Sequence, residues 1–500
     1  MTATQPEIPP ALMGESSRIG LNLLSLVVSR VLCLALSLVQ MGIIFRALGV
    51  EGSGQFGFAL GYSSLFTVFA TLGIQRLLVR DIARDPSIAW TYVWTAVGVM
   101  AFLSAVVVVV IGISILSIEA NPVVRSAVLM ASVSVIIVWA LQSPFEALLM
   151  ARERMIFLAG VNLVSGIARL AGTYYVLQIA PTSVMAHGGI ALGNAVGLAL
   201  CVGAAALVGG WQRPHFRLSL ALTQIRESSA FTVAMFLSLI YFKSDMSILK
   251  WLAGESAAGI YTVVQRPMEP LLMIAGIWGT AVFPALCRFS VNAPENYVRL
   301  MKTSARLALL AAFPMGFGIA ALAGPIVQLL TGARAGEFAD SVTLLQILCG
   351  VVPFFYLNGV AQEFLYSSHR NWYVVAAYGV AAAVSVAGNV LLIPAMGVYA
   401  VAAVAILTNL VVAVMFVYGM RTEYGAMGLP SLVTKTVIAC SVMACAVYAL
   451  SGVSLIAAIT VGGLLYVALQ AVLRTLTPEE SRLVIAILKR REAASPSSSL

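Results

Sequence analysis

Apolar runs of about twenty residues, each bounded by a charged or Gly/Pro-rich turn, follow one another from residue 20 to residue 473. A helix needs about 20 residues to cross a bilayer core. The runs fall at 20–46, 55–76, 90–116, 125–150, 156–178, 187–210, 228–252, 258–283, 306–330, 340–365, 372–394, 398–419, 432–451 and 453–473. Of the 500 residues 61% are hydrophobic and only 10% charged, and mean hydropathy is +0.98. No soluble class has that composition. The fold class is therefore an all-α polytopic membrane protein of about fourteen transmembrane helices. The first nineteen residues are polar and the first apolar run is too long for a signal-peptide core, so no cleaved leader is expected. Six cysteines lie in or beside apolar runs without disulfide or zinc spacing and read as small packing residues.

The net charge of +9 could suggest nucleic acid, but its distribution argues for topology. Of 29 Lys and Arg residues, 21 lie in the termini and in loops on the same side. The opposite loops hold only Arg46, Arg125 and Arg334, and five basic residues lie inside spans. This asymmetry predicts both termini in the cytoplasm, with no nucleic-acid partner. Loops are too short for an extramembrane domain. Residues 1–19 form a cytoplasmic tail. After span 14, Thr477-Pro478-Glu479-Glu480 opens a capped amphipathic helix with Leu483, Val484, Ile487 and Leu488 on one face. Residues 474–500 thus read as a surface helix and a disordered end.

Two turns resemble each other. LGVEGSGQF (48–56) follows span 1 and LAGESAAGIY (252–261) follows span 7. Each has a glutamate (Glu51, Glu255) and then Gly-x-aromatic (Gly54 and Phe56; Gly259 and Tyr261), the glycines 205 residues apart. The exits of spans 4 and 10 also match, Glu146 to Arg152 against Glu363 to Arg370. These matches predict two pseudo-symmetric six-helix bundles of like orientation, 20–210 and 228–419, joined by a cytoplasmic linker at 211–227. Residues 432–473 add two further helices. Gly189, Gly193 and Gly197 give span 6 a small-xxx-small stripe for helix packing.

Span 8 contains GIYTVVQRPMEPLLMIAGIW, with Arg266, Glu269, Pro267 and Pro270 inside an apolar stretch. A charge in hydrocarbon costs about 2.5–3.5 kcal/mol on insertion scales, so these residues need an internal partner or water. Lys243 and Asp245 in span 7 fall in the same layer, about 10–17 Å below the outer surface at 1.5 Å per residue. Two internal ion pairs are one reading; the prolines, which free backbone carbonyls, favour a bend at a water-filled cavity. Arg30 and Arg169 lie deep in spans 1 and 5 with no acid at their depth in that half. They call for an anion or for backbone carbonyls. The deep charges, Arg30, Arg169, Lys243 and Arg266 against Asp245 and Glu269, sum to two positive, and phosphate suits arginine. Lys250 lies close enough to the outer edge to snorkel. The three histidines sit in or beside loops. There is no Walker A sequence, no HExxH and no metal cluster, so an ion gradient, the membrane potential or substrate consumption must supply the energy.

The segment FRALGVEGSGQFGFALGYSSLFTVFATLGIQRLLVRDIARD (Phe45–Asp85) carries Arg46, Leu48, Gly49, Glu51, Gly52, Gly54, Phe56, Leu72, Gly73 and Arg80-Asp-Ile-Ala-Arg84. With FKSDMSILKWLAGESAAGIYTVVQRPMEPL (Phe242–Leu271) and FEALLMARERMIFLAGVNLVSGIARLAGTYYVL (Phe145–Leu177) it resembles the Wzx-type polysaccharide/O-antigen flippase family of the multidrug/oligosaccharidyl-lipid/polysaccharide exporter superfamily. The resemblance implies a transporter rather than an enzyme, with inward- and outward-open forms in a bacterial inner membrane. It implies a polyprenyl-diphosphate-linked oligosaccharide as substrate, bound by Arg30, Arg169, Arg266 and Lys243. Asp245 and Glu269 would couple H⁺ or Na⁺, and no other cofactor is expected. Membrane lipids, a polysaccharide polymerase and a chain-length regulator are the implied partners. A multidrug exporter of the same fold is the alternative, though its cavity should favour acids over arginines. A polymerase or ligase would need a large periplasmic loop, and a scaffold would leave the buried charges without a purpose.

Overall fold

The computed structural model describes residues 10–473 and 475, apart from 293, 425–428 and 453. Among them the chain is helical, with no strand. In order the helices are α1 (Pro10–Thr71), α2 (Ile74–Arg84), α3 (Ala89–Ile118), α4 (Pro122–Ser132), α5 (Trp139–Ala151), α6 (Met155–Ile179), α7 (Ser183–Gly209), α8 (Leu218–Asn292), α9 (Pro294–Ala321), α10 (Ala323–Thr331), α11 (Ala339–Leu348), α12 (Val352–Ser367), α13 (Asn371–Met396), α14 (Tyr399–Tyr424), α15 (Leu429–Leu450) and α16 (Leu455–Val472). Among the described residues eleven helical runs are long and apolar enough to cross a membrane. Each expected span falls on helix. Spans 1 and 2 share α1, broken at Gly49 (φ 70°), and spans 7 and 8 share α8, broken at Gly254 (φ 88°). Only glycine adopts such angles without strain. The predicted surface helix and tail at 477–500 lie outside the described residues.

Span 2 ends earlier than expected, because Leu72 (φ 49°) and Gly73 (φ 71°) turn the chain into α2. This short helix buries Ile74, Leu78 and Ile82 at four-residue spacing and exposes Arg76, Arg80 and Arg84. Pro267 and Pro270 remain within helical dihedrals, so the sharp break in α8 is at Gly254 and not at the prolines.

By its contacts the chain forms two compact units. The first holds residues 1–263, 330–338 and 389–398. Within it α6 and α7 meet through the glycine stripe. A Cβ at Gly193 would overlap the Arg169 backbone, one at Gly189 would meet Thr173, and one at Gly197 would crowd Ser165. Lipid tails are as apolar as the side chains, so such helices hold together by close packing. α1 runs parallel beside α6: Ser29 Oγ donates to Ala159 O (3.0 Å), and Gln40 Nε2 to Thr173 Oγ1 (2.8 Å). At one end of the unit, α2, α3, α5 and α7 bury Leu78, Trp90, Phe145, Leu148 and Cys201. At the other end, α1, α3 and α4 bury Phe58, Ile111, Ile115 and Val128.

Lys250 does not snorkel. It is buried, with 8% of its side chain accessible, and pairs with the equally buried Glu119 in the turn between α3 and α4. Its ammonium also lies 5.1 Å from the centre of the Phe58 ring. Burial works to raise the Glu119 carboxyl, but the Lys250 bond and the Asn121 backbone N–H outweigh it and hold it below the usual carboxylate value.

The second unit holds residues 264–329, 339–388 and 399–500. The last two helices are an integral part of it. α15 and α16 pack on α9 through Leu309, Phe313, Leu432, Cys440, Met443 and Val447. Tyr466 Oη donates to Leu310 O (2.6 Å). α12 is tied to α14 by Asn358 Nδ2 donating to Asn409 O (3.1 Å).

Two outcomes follow from this packing. Gly193→Val should destabilise the protein by about 1–3 kcal/mol, while Gly203→Ala in the same helix, where a Cβ meets open space, should be neutral; thermal unfolding in detergent compares them. Lys250→Met leaves Glu119 buried without its cation and should cost about 3–5 kcal/mol. The native pair contributes fully above about pH 4.3, the unfolded carboxylate value, and is lost as pH falls through the lowered folded value. The variant should instead gain stability on acidification, because burial then dominates and protonation relieves it.

Candidate functional site

The two repeated turns meet each other. A Cβ at Gly54 would overlap the carbonyl of Glu255, and a Cβ at Gly259 would overlap the carbonyl of Val50. Adding 205 to one contact gives the other, which is the reciprocity a two-fold axis imposes. Gly49 and Gly254, the two hairpin glycines, obey the same offset. The register corrects one expectation: Glu255 is the counterpart of Val50, and the counterpart of Glu51 is Ser256. Glu51 is exposed. Glu255 instead gathers polar groups from neighbouring helices, accepting from Gln55 Nε2 (2.7 Å) and Asn121 Nδ2 (3.0 Å), while Gln55 Oε1 accepts from Ser183 Oγ (3.1 Å). Beside it Val50 N donates to Glu337 Oε2 (3.1 Å). The two turns thus meet backbone on backbone, with a polar cluster around the seam.

The aromatic residues of the two motifs do different work. Phe56 stacks on His187 (4.3 Å, 13°) and its carbonyl meets His187 Nε2 (3.3 Å). His187 is therefore buried inside α7 and is not a loop residue. Tyr261 Oη donates to the carboxylate of Asp245, which also accepts from Met246 N (2.7 Å). The expected Lys243–Asp245 ion pair does not form among the described residues; Tyr261 takes its place. Lys243 lies half-buried nearby on the same helix.

Arg169 is half-buried, and Nη1 donates to Asn194 Oδ1 (3.1 Å) on α7. Asn194 Nδ2 in turn donates to Ser134 O (3.2 Å), inside a π-helical segment, Val133–Val138, that joins α4 to α5. Such wide turns leave irregular backbone and recur at functional positions. No acid is bonded to Arg169 among the described residues. Its Nη2 approaches the space beside Gly166 and Cys33. Arg30 is exposed, three residues before Cys33 on α1 and about 14 Å nearer the N-terminal ends of α1 and α6 than Arg169, since Ser29 meets Ala159 and the rise is 1.5 Å per residue. Arg30 and Arg169 thus mark two levels along one helix pair. Asn194 was missed by sequence reading; its signal is a lone amide beside Gly193 in an otherwise apolar helix.

In the second unit Arg266 is buried, and Nη1 donates to Glu269 Oε1 (2.8 Å), the i,i+3 pair expected. Its Nε has no hydrogen-bond partner among the described residues. An apolar cavity of about 430 Å³, lined by Leu309, Phe313, Phe317, Cys349, Phe354 and Val433, includes none of the predicted site residues. No group of three His, Cys, Asp or Glu among the described residues could hold a metal.

This architecture matches known proteins. The solved structure of the lipid II flippase MurJ in an inward closed conformation superposes with a TM-score of 0.72 at 13% identity, over 90% of this chain and 98% of that one. An inward-facing multidrug resistance MATE family transporter gives 0.62 at 14%, over 80% and 96%. A transporter of the same superfamily from Pyrococcus furiosus, described by the reverse polarity of its binding pocket, gives 0.53 at 14%, over 80% and 95%. At such identities the likeness is one of fold. No curated protein sequence matches significantly. The family model described as "Polysaccharide biosynthesis protein" matches residues 19–290. The chain is a multi-pass membrane protein with the fold seen in these flippases and transporters, and it belongs to the polysaccharide biosynthesis protein family.

Proposed function

We propose that this protein moves a polyprenyl-diphosphate-linked oligosaccharide, an O-antigen, capsule or exopolysaccharide repeat unit, from the cytoplasmic to the periplasmic leaflet of a bacterial inner membrane by alternating access. The observation that carries this reading is Arg169: a guanidinium inside a spanning helix, held by a neutral amide and balanced by no acid among the described residues. A cation so placed favours an anionic ligand, and a diphosphate accepts the forked donors that arginine offers. The sugar hydroxyls cannot cross hydrocarbon unaided, whereas the lipid tail can stay in the bilayer. Arg30, Arg169, Arg266 and Lys243 are the proposed contacts for diphosphate or acidic sugar. Asp245 and Glu269 are the proposed carriers of a coupled H⁺ or Na⁺. Both termini are assigned to the cytoplasm by the Lys/Arg asymmetry, and a polymerase and a chain-length regulator are the expected partners. A multidrug exporter shares the fold, as the MATE likeness illustrates; the surplus of arginine over acid among the deep residues favours the anionic substrate.

The seam at Gly54 and Gly259 is the proposed outer gate, because a contact without side chains can part and re-form without repacking.

Vesicles loaded with labelled lipid-linked oligosaccharide test both roles. Arg169→Ala should lower transbilayer movement roughly tenfold to hundredfold, the loss of one hydrogen bond to a charged group, and Arg169→Lys should retain part of it. Full activity in Arg169→Ala would exclude the diphosphate role. Gly54→Leu should pry the seam apart, so that a cysteine at position 255 in a background free of other cysteines reacts from the periplasmic side with an impermeant maleimide, where the parent seam protects it.

A further inference from the structure

We propose that the segment 210–217, which joins α7 to α8, is a binding site for anionic phospholipid headgroups of the inner leaflet. The segment, Gly-Trp-Gln-Arg-Pro-His-Phe-Arg, alternates aromatic and cationic side chains. It does not hang free. Trp90 Nε1 donates to Gly209 O (3.1 Å), Trp94 Nε1 to Gln212 O (3.1 Å), and Arg217 N to Thr95 Oγ1 (3.4 Å). The Phe216 ring covers Gly98 so closely that a Cβ there would meet it at 2.8 Å. Trp211 lies edge-on to Trp90 (5.6 Å) and Trp94 (5.4 Å).

These contacts fasten the segment along the first turns of a membrane-crossing helix, from Trp90 to Gly98. At 1.5 Å per residue that is about 12 Å, enough to pass through the headgroup layer into the start of the hydrocarbon. At this depth Trp211 and Phe216 remain just over half exposed, at 54% and 55%. Arg213 and Arg217 are exposed, and among the described residues neither pairs with an acid. Pro214 has no N–H to leave unsatisfied where water thins out. Aromatic rings favour the headgroup level, and basic residues there attract anionic lipid. An acidic protein would answer the arginines but not rings held at the depth where acyl chains begin. A phosphate headgroup with its chains answers both.

The test uses the full-length protein in nanodiscs containing phosphatidylglycerol or phosphatidylcholine brominated high on the acyl chain. Emission from Trp211 is the difference between the parent and Trp211→Phe. In mixed bilayers phosphatidylglycerol should quench Trp211 preferentially, with an association advantage of about fivefold per arginine. The advantage should shrink at high salt and vanish in R213Q/R217Q, which should keep the parent's thermal stability and its quenching by phosphatidylcholine. Equal quenching by the two lipids in the parent, or a preference that survives in R213Q/R217Q, would overturn the proposal. Absence of quenching by either lipid would also overturn it, leaving the arginines to an acidic protein.

Discussion

Two peptide backbones approach without side chains between them where Gly54 faces the Glu255 carbonyl and Gly259 faces the Val50 carbonyl. Much around the repeated turns of the first unit depends on that approach. The hairpins at Gly49 and Gly254 aim the paired helices so that it can occur. The cluster of Gln55, Glu255, Asn121 and Ser183 then meets its hydrogen-bonding needs around the rim. A larger side chain at either glycine would part the helices and pull Glu255 away from Gln55 and Asn121. The reciprocity also explains why the two turns are alike at these particular positions: each is the other's mating surface.

The charged residues fall into two groups by how they are compensated. Lys250 and Glu119 neutralise each other in burial, and such a pair is costly to break from one side only; Arg266, also buried, is neutralised by the partly exposed Glu269. Among the described residues the Arg169 guanidinium is bound through an amide, and that amide is anchored to the irregular backbone of a π-helical turn. The first kind of compensation builds the structure. The second leaves a donor fork oriented and unneutralised, which is the state a transient anionic ligand requires. Asp245, tied to Tyr261, is intermediate: its partner is neutral and can release it.

Helix positions were legible because hydrocarbon imposes a length and a polarity on every span. The repeat was legible because glycine at a backbone crossing has no substitute. Partnerships were less so. Glu119 lies 131 residues before Lys250, and nothing local in either segment announces the other. Proximity in sequence suggested Lys243 for Asp245, yet on a helix residues two apart point to different sides, and Tyr261 from the following segment is better placed. His187 sits at the start of a span, so its burial depended on knowing that Phe56 would lie flat against it. Arg266 and Glu269 were paired correctly because an i,i+3 relation is fixed by the helix itself.

The central claim is that the seam between the repeated turns opens during transport. Spin labels at Glu51 and Ser256, exposed positions 205 residues apart on the two turns, measure it directly in a variant whose native cysteines are replaced. The account predicts one short distance at rest and a second, longer population when vesicles are supplied with lipid-linked oligosaccharide. A single short distance that persists while substrate is being moved would contradict it.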